Sequence, residues 1–283
     1  MPAFVIVFVF HYIPMYGIVV SFQDYNIVSG VFRSPWVGLR WFKSFFNNVY
    51  AYRIIRNTFL LGFYNFIFGF PAPIILALLL NELRSKAFKR TVQTLSYFPS
   101  FISAVIIVGM LKELTGLEGP INALISRLGL PAIQFFSFAK WFRPLYITSG
   151  MWQNLGVGTI IYLAALTQIN PELYEAAAID GANRFRKIIH VTLACIAPTI
   201  IILMILNVGQ MIRNADTQKV LLMYSPLTYE TADIIGTYVF RQGILAANFS
   251  YSTAVGLLMS AVSFVFLYAT NVLSRKISNT SLW

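Results

Sequence analysis

Two groups of polar side chains interrupt strongly apolar segments, and their types suit hydrogen bonding to a ligand. One group shares a helical face, because residues three and four positions apart are neighbours on a helix: Asn207, Gln210 and Asn214. The other places an aromatic ring beside two amides: Trp152, Gln153 and Asn154. Amides combined with an aromatic face are suited to binding a sugar, but Asn and Gln also bond helices to one another within membranes. Two interpretations therefore remain open, a substrate path and interhelical bonding.

A polar stretch from Tyr174 to Pro198 has the pattern of two short helices joined by a turn. Asn170 is a good N-cap, and Pro171 fits the first helical position. Gly181 predicts the end of the first helix, because glycine adopts a left-handed backbone without steric penalty. One interpretation is an ordinary capped helix in a loop. The other is a projecting knob between membrane spans that docks on a partner protein.

Motifs of known catalysis are absent from the sequence. It contains no GxxxxGK[ST] phosphate loop, so the chain is not expected to bind ATP by a Walker loop. GxSxG, HExxH and EF-hand patterns are also missing, and the single cysteine cannot form an intrachain disulfide. His11 and His190 stand apart from other metal-binding residue types. The sequence therefore predicts no catalytic residue, no metal site and no cofactor bound by this chain itself.

The composition is that of a membrane protein. The 283 residues are 58% hydrophobic and only 11% charged, whereas soluble domains are about a quarter charged. The net charge of +11 lies mostly in the connections between apolar segments. Basic residues in such positions contact membrane lipid and set the topology, so a nucleic-acid partner is not expected.

Six apolar segments are candidates to cross a bilayer, which takes roughly 20 residues of helix. The predicted spans are residues 2–20, 57–80, 96–111, 145–166, 196–212 and 253–273. They predict an all-α polytopic protein with a single transmembrane domain over residues 1–283 and a core over 57–273. The polar stretch then belongs to a loop, residues 167–195, between the fourth and fifth spans. The first span starts abruptly, so we expect a longer native N-terminus.

Three local features are also predicted. Pro71 and Pro73 predict a kink in the second span, because proline cannot donate the helical hydrogen bond. A surface helix is predicted over residues 120–128, between two glycines. Residues 213–252 are predicted to form a long loop.

The distribution of Lys and Arg indicates which side of the membrane faces the cytoplasm. The side with the 167–195 loop holds 9 of these residues and the other side holds 12. The connections on the first side are about half as long, so the density of basic residues is higher there. The densest cluster follows the second span, where lipid headgroups would attract it: Arg84, Lys86, Lys89 and Arg90. We therefore expect the loop to be cytoplasmic. The connections on the other side hold 12 basic and 6 acidic residues. This excess of positive charge suits either an acidic polysaccharide substrate or ordinary solvated loops.

The polar stretch closely resembles the EAA loop of binding-protein-dependent ABC importer permeases. The matching residues of the first half are Glu175, Ala176, Ala177, Asp180, Gly181 and Ala182, and those of the second half are Val191, Thr192 and Leu193. The family's proline falls at Ala194, so a kink there is not expected, while Pro198 matches a second recurring proline. The segments WVGLRWF and NELRSKAFKRTVQTLSYFPSFIS resemble the sugar-permease branch. LLMYSPLTYETADIIGTYVFRQGI and the terminal NTSLW resemble its subgroup for oligosaccharide and polysaccharide uptake, which includes alginate importers.

This resemblance implies the fold and partners of a type I ABC importer in the bacterial cytoplasmic membrane. Its permeases work in pairs, here as a heterodimer with a second permease, above two ATPase subunits that bind ATP and Mg²⁺. A solute-binding protein delivers the saccharide substrate from outside. The loop residues implied to couple to the ATPase are Glu175, Ala176, Ala177, Asp180, Gly181, Ala182 and Arg184.

Two other classes of protein remain as alternatives. A secondary carrier or channel is disfavoured because carboxylates are nearly absent from the spans, whereas proton-coupled carriers usually keep ionisable residues at membrane depth. A membrane-embedded enzyme, such as a glycosyltransferase, lacks a carboxylate or histidine constellation in this sequence.

Overall fold

A computed structural model describes residues 2–211 and 216–278, which are almost entirely helical. The first half contains α1 (Phe4–Phe22), α2 (Ala51–Glu82), α3 (Lys86–Phe101), α4 (Ala104–Thr115) and α5 (Pro120–Arg127). The second half contains α6 (Ala139–Leu166), α7 (Pro171–Ile179), α8 (Arg184–Gln210), α9 (Thr217–Met223), α10 (Ile235–Phe240) and α11 (Phe249–Ser278). Shorter helices in the connections are Gly30–Arg33, Arg40–Phe46 and Tyr229–Ala232. The described residues form no strand, and their one isolated β-bridge joins Gln23 to Trp36.

Within the described residues, four helices are long and apolar enough to cross a membrane: α1, α2, α8 and α11. A bend of 102° separates α3 from the segment Ala104–Arg127, which contains α4 and α5, and this pair makes a fifth if it is one broken span. The remaining predicted span falls in α6, whose 28 residues exceed the length needed. Hydroxyl and amide side chains lower the mean hydropathy of α6 below that of the four. The prediction of an all-α polytopic membrane protein is confirmed.

The third predicted span is not one straight helix, which corrects the sequence analysis. α3 ends in a tight turn that contains Pro99, and the side chain of Ser103 caps the start of α4. Gln153 of α6 holds the break together. The side-chain Nε2 of Gln153 donates a hydrogen bond to the Ile102 carbonyl at 3.1 Å. The backbone carbonyl of Gln153 accepts a hydrogen bond from Ser100 Oγ at 2.7 Å. Because buried backbone groups need partners, this amide stabilises a bend that the chain's apolar pattern does not reveal.

The second span remains one helix despite its two prolines. A π-helical turn over Asn65–Gly69 ends just before Pro71. Pro71 then occupies the first position of the next α-helical segment, where a missing N–H costs little. The predicted kink is therefore a local widening of α2 at a π-helical turn, a common cause of helix distortion.

Of the two connections described in the sequence analysis, one is confirmed and the other is not. The predicted surface helix is confirmed by α5, which begins after Gly119 and is followed by Gly129 with a positive φ of 76°. The long loop expected over residues 213–252 is wrong as a description, because its described part contains α9 and α10. Both short helices pack back on the bundle. α9 shares a buried apolar cluster with α2, α4 and α6, and α10 shares a second one with the start of α2 and with α11.

Helix α6 lies at the centre of the packing. Its Gly156 contacts the backbone of α3 at Ser96 so closely that no side chain would fit. In the same way Gly209 of α8 faces Leu267 of α11. These close contacts fix α6 and α8 relative to their neighbours, while a cavity remains between α2, α6 and α8.

Candidate functional site

The first helix of the 167–195 loop begins and ends as its sequence predicts. Asn170 Oδ1 accepts a hydrogen bond from the Glu172 amide at 3.1 Å. At the other end Gly181 has a φ of 74°, in the left-handed region. The Ala182 amide donates to the Ala177 carbonyl at 2.9 Å, and the Gly181 amide donates to Ala178 at 3.1 Å. These two bonds form a Schellman turn, so the change of direction after α7 has a defined geometry.

The second half of the loop is joined firmly to the first. Asn183 caps α8, with its Oδ1 accepting a hydrogen bond from the Arg186 amide at 2.9 Å. Tyr174 of α7 reaches across, and its hydroxyl lies 3.0 Å from the Oγ1 of Thr192, which is buried. Two caps, one turn and one side-chain bond therefore hold α7 at a fixed angle to the start of α8.

The outer surface of the loop is apolar with a charged border. Ile179 is 88% exposed and Phe185 is 70% exposed. The charged residues of the implied coupling set, Glu175, Asp180 and Arg184, are exposed as well. Large apolar side chains exposed together within a polar border are typical of a protein interface.

A groove of about 530 Å³ runs between α7 and the start of α8. Four of the implied coupling residues line it: Ala176, Ala177, Asp180 and Ala182. The other side is lined by Arg186, His190 and Val191. The alanines leave the groove open, because a larger side chain at these positions would fill it.

Helix α8 continues through the position where the resembling family has proline. It runs from Arg184 to Gln210 without a break, and Ala194 lies inside it. Its first part contains a π-helical turn, Ile188–Thr192. The absence of a kink at Ala194 agrees with the expectation from the sequence.

The cavity between α2, α6 and α8 has a volume of about 490 Å³ and is lined by several amides. The structure brings three predicted path residues together in it: Asn154, Asn207 and Gln210. Asn65 of α2 also lines the cavity and was not predicted. Its signal in the sequence is a lone amide within the aromatic run of the second span. Phe70 and Tyr162 add aromatic rings to the same wall.

The other predicted path residues do not line this cavity. Gln153 forms the interhelical bonds at the break between α3 and α4, as the structural interpretation expects. Trp152 is 45% exposed on the surface of α6. Asn214 lies outside the described residues.

A buried charge cluster between the start of α2 and the segment after α9 was not predicted from the sequence. The carboxylate of Asp233 is 1% exposed and lies 2.7 Å from Arg241 Nη2 and 3.6 Å from Arg53 Nη2. Thr237 Oγ1 donates to the same carboxylate at 2.8 Å. The Arg241 guanidinium also lies 4.9 Å from the centre of the Tyr229 ring. This cluster holds the segment after α9 against the start of α2.

A helical membrane domain with an exposed apolar loop and a polar cavity has the architecture of a transport subunit. The chain belongs to the family of binding-protein-dependent transport system inner membrane components, whose model matches residues 69–279. Its place in the bacterial inner membrane follows from this family. Transport in the family depends on a separate binding protein, so this chain works as part of a larger system.

Several known proteins are similar over nearly the whole chain. Protein LplB of Bacillus subtilis (strain 168) is 42% identical over 100% of this chain and 89% of its own length. The polygalacturonan/rhamnogalacturonan transport system permease protein YteP of the same organism is 41% identical, over 100% of this chain and 88% of its own. A crystal structure of a bacterial ABC transporter for import of the acidic polysaccharide alginate matches with a TM-score of 0.91. It is 38% identical and covers 98% of this chain and 94% of that one.

Proposed function

We propose that the chain is one permease subunit of an ATP-driven importer for oligosaccharides or polysaccharides. It pairs with a second permease in a heterodimer, with two ATPase subunits on the cytoplasmic side and a solute-binding protein outside. The ATPase subunits bind ATP and Mg²⁺. This chain supplies half of the translocation path and the loop that receives the movement of the ATPases.

The observation that carries this proposal is the continuity of α8. The helix begins in the 167–195 loop at Arg184 and ends beside the cavity at Gln210. Its 27 residues span about 40 Å, because an α-helix rises 1.5 Å per residue. A movement of the loop is therefore transmitted through one helix to the amides of Asn207 and Gln210.

The loop surface suits an ATPase partner. The small side chains of Ala176 and Ala177 let a partner approach α7 closely, and the exposed Ile179 and Phe185 offer apolar anchors. Such apolar anchors with a charged border are the usual pattern of residues that contribute most to binding.

The cavity suits a saccharide. Its amides offer donors and acceptors for hydroxyl groups, and the half-buried ring of Phe70 offers a face on which a sugar ring can stack. YteP is a permease for polygalacturonan and rhamnogalacturonan. Another similar structure is the alginate transporter in complex with an alginate pentasaccharide-bound periplasmic protein, which supports a saccharide delivered by a binding protein here.

Reconstitution tests the proposal. The chain is co-expressed with the second permease, the ATPase and the binding protein encoded beside it, and the complex is placed in vesicles loaded with ATP. We expect saccharide uptake that requires ATP and the binding protein, and that stops when the ATPase carries an inactivating phosphate-loop substitution. Uptake that persists without ATP and follows an imposed proton or sodium gradient would instead identify a secondary carrier.

A further inference from the structure

Lys219 is a buried lysine whose ammonium has no hydrogen-bond partner among the described residues. It lies on α9, just after the outer end of α8, and is 3% exposed. The ammonium lies over the ring of Tyr146, whose centre is 5.5 Å from Nζ. Burying an ammonium without an acceptor costs free energy, because lost hydration is not replaced. A stabilising role within the fold therefore does not explain this side chain well.

Among the described residues, Asp216 is the carboxylate that attracts this ammonium, and it already has another partner. Asp216 Oδ1 accepts a hydrogen bond from the backbone amide of Lys219 at 3.1 Å and so caps α9. Burial lowers the pKa of Lys219 to about 8, and the attraction of Asp216 offsets only part of this effect. The side chain is thus mainly cationic at neutral pH and has capacity for a further anion.

The ammonium lies against a thin part of the cavity wall. Gly150 lines the cavity, and a Cβ atom at this position would stand 3.8 Å from Lys219 Nζ. Tyr146, Gly150 and Asn154 follow one another at four-residue intervals on one face of α6. The Lys219 ammonium therefore lies beside the Tyr146 end of this face of α6, and the same face leads to the Asn154 amide inside the cavity.

We propose that Lys219 determines specificity for acidic saccharides, by attracting the carboxylate of a uronate unit at the outer end of the cavity. This inference rests on the proposed function and names its substrate class. Opposite charges separated by about 4–6 Å interact strongly where hydration is poor. The glycine at position 150 lets a carboxylate come within this range, whereas a neutral sugar leaves the ammonium unpaired.

The test compares an acidic probe with its neutral methyl ester, which carries one additional methyl group on each unit. Galacturonate oligomers of three to five units and their methyl esters are offered to the reconstituted complex, and uptake is measured over a range of concentrations. For the wild type we expect the acid to be preferred. Lys219→Met should reduce uptake efficiency for the acid at least about tenfold, the effect of losing one charge-assisted contact, and change that for the ester less than twofold.

Two further variants complete the comparison. Lys219→Arg keeps the charge and should retain the preference for the acid. Lys140→Met removes a charge from an exposed lysine at the start of α6 and should change uptake of neither probe. The melting temperature of the Lys219→Met complex should equal or exceed that of the wild type, because methionine fills a similar volume without a buried charge.

Several outcomes would overturn the inference. They are a wild type that prefers the ester, a Lys219→Met variant that keeps the preference for the acid, and an equal loss for both probes with a lower melting temperature. If the complex transports neutral saccharides but neither probe, the inference also fails while the proposed function stands. If no saccharide is transported with ATP, the proposed function itself fails.

Discussion

Replacing Gly181 with valine should uncouple ATP hydrolysis from transport without unfolding the protein. Gly181 has a φ of 74°, a conformation that costs an ordinary L-residue about 1–2 kcal/mol. An added Cβ would meet no atom within 4 Å, so steric overlap with neighbours adds nothing to this cost. The effect of the substitution is therefore confined to the turn between α7 and α8.

The size of the effect follows from the turn's own bonds. Two backbone hydrogen bonds, from Gly181 to Ala178 and from Ala182 to Ala177, hold the turn, and each contributes about 1 kcal/mol. A penalty of 1–2 kcal/mol is thus comparable with the stabilisation, and it shifts the equilibrium between closed and open turns by a factor of about 5–30. In an open turn, α7 no longer moves together with α8.

The assay measures ATP hydrolysis and uptake in the same vesicles. We expect Gly181→Val to keep basal hydrolysis but to lower the saccharide imported per ATP several-fold. Gly181→Asn should be intermediate, because asparagine tolerates the left-handed region. Gly129→Val is the matched control, since Gly129 has a φ of 76° with open space around it, in a different connection.

An unchanged ratio of uptake to hydrolysis in Gly181→Val would refute the reasoning. The same would follow from an equal loss in Gly129→Val, because general backbone strain would then explain both. Assembly with the ATPase, followed by size-exclusion chromatography, separates loss of docking from loss of transmission.

Three other predictions concern the cavity, Asp233 and Lys219. Alanine at Asn207 or Gln210 should lower uptake and substrate-stimulated hydrolysis without lowering assembly, and a parallel loss of assembly would favour interhelical bonding. Asp233→Ala should destabilise the protein by about 3–5 kcal/mol, because it leaves Arg53 and Arg241 without their buried carboxylate partner. An unchanged melting temperature would contradict this prediction. Uptake of galacturonate oligomers should fall as the pH rises through about 8, where Lys219 loses its proton, and Lys219→Arg should remove that fall. The pKa of Lys219 is about 8 in the folded protein and 10.5 in the unfolded chain. Burying its charge therefore destabilises the fold below about pH 8, and this destabilisation disappears as the pH rises toward 10.5. Lost uptake over this range would therefore not reflect a weakened fold, and a melting temperature that falls together with uptake would count against the prediction.

Local rules predicted the caps and turns of the loop well. Asn170, Pro171 and Gly181 act through backbone groups only a few residues away, so their roles can be read directly from the sequence. The apolar pattern likewise identified the long helices, because a span is defined by its own composition. These features need no knowledge of which helices are neighbours.

The break between α3 and α4 could not be predicted in the same way. Residues 96–111 are apolar enough to suggest one helix, and Pro99 and Ser103 are weak signals of a break. What stabilises the bend is Gln153, more than 50 positions away in the sequence, through its bonds to this segment. The sequence alone could not separate a path role for Gln153 from interhelical bonding, since an amide in a membrane span has the same appearance in both roles.

The buried charges were missed for a related reason. Asp233 and Lys219 belong to a stretch whose charged composition suggests an exposed loop, yet they are 1% and 3% exposed. Asp233 is buried because Arg53, from the start of α2, and Arg241 surround it. Only the fold brings these residues together, and no local pattern marks them.

The π-helical turn at the start of α8 explains why the loop needs its side-chain bond. A 27-residue helix transmits movement only if it does not bend, and π-helical turns are the irregular sections of such helices. The turn over Ile188–Thr192 is therefore where α8 would yield. Thr192 lies at its end, with Oγ1 3.4 Å from the Lys187 carbonyl and 3.0 Å from the Tyr174 hydroxyl. The bond from Tyr174 thus ties α7 to the section of α8 most prone to bend, so that the helix and the loop move as one body.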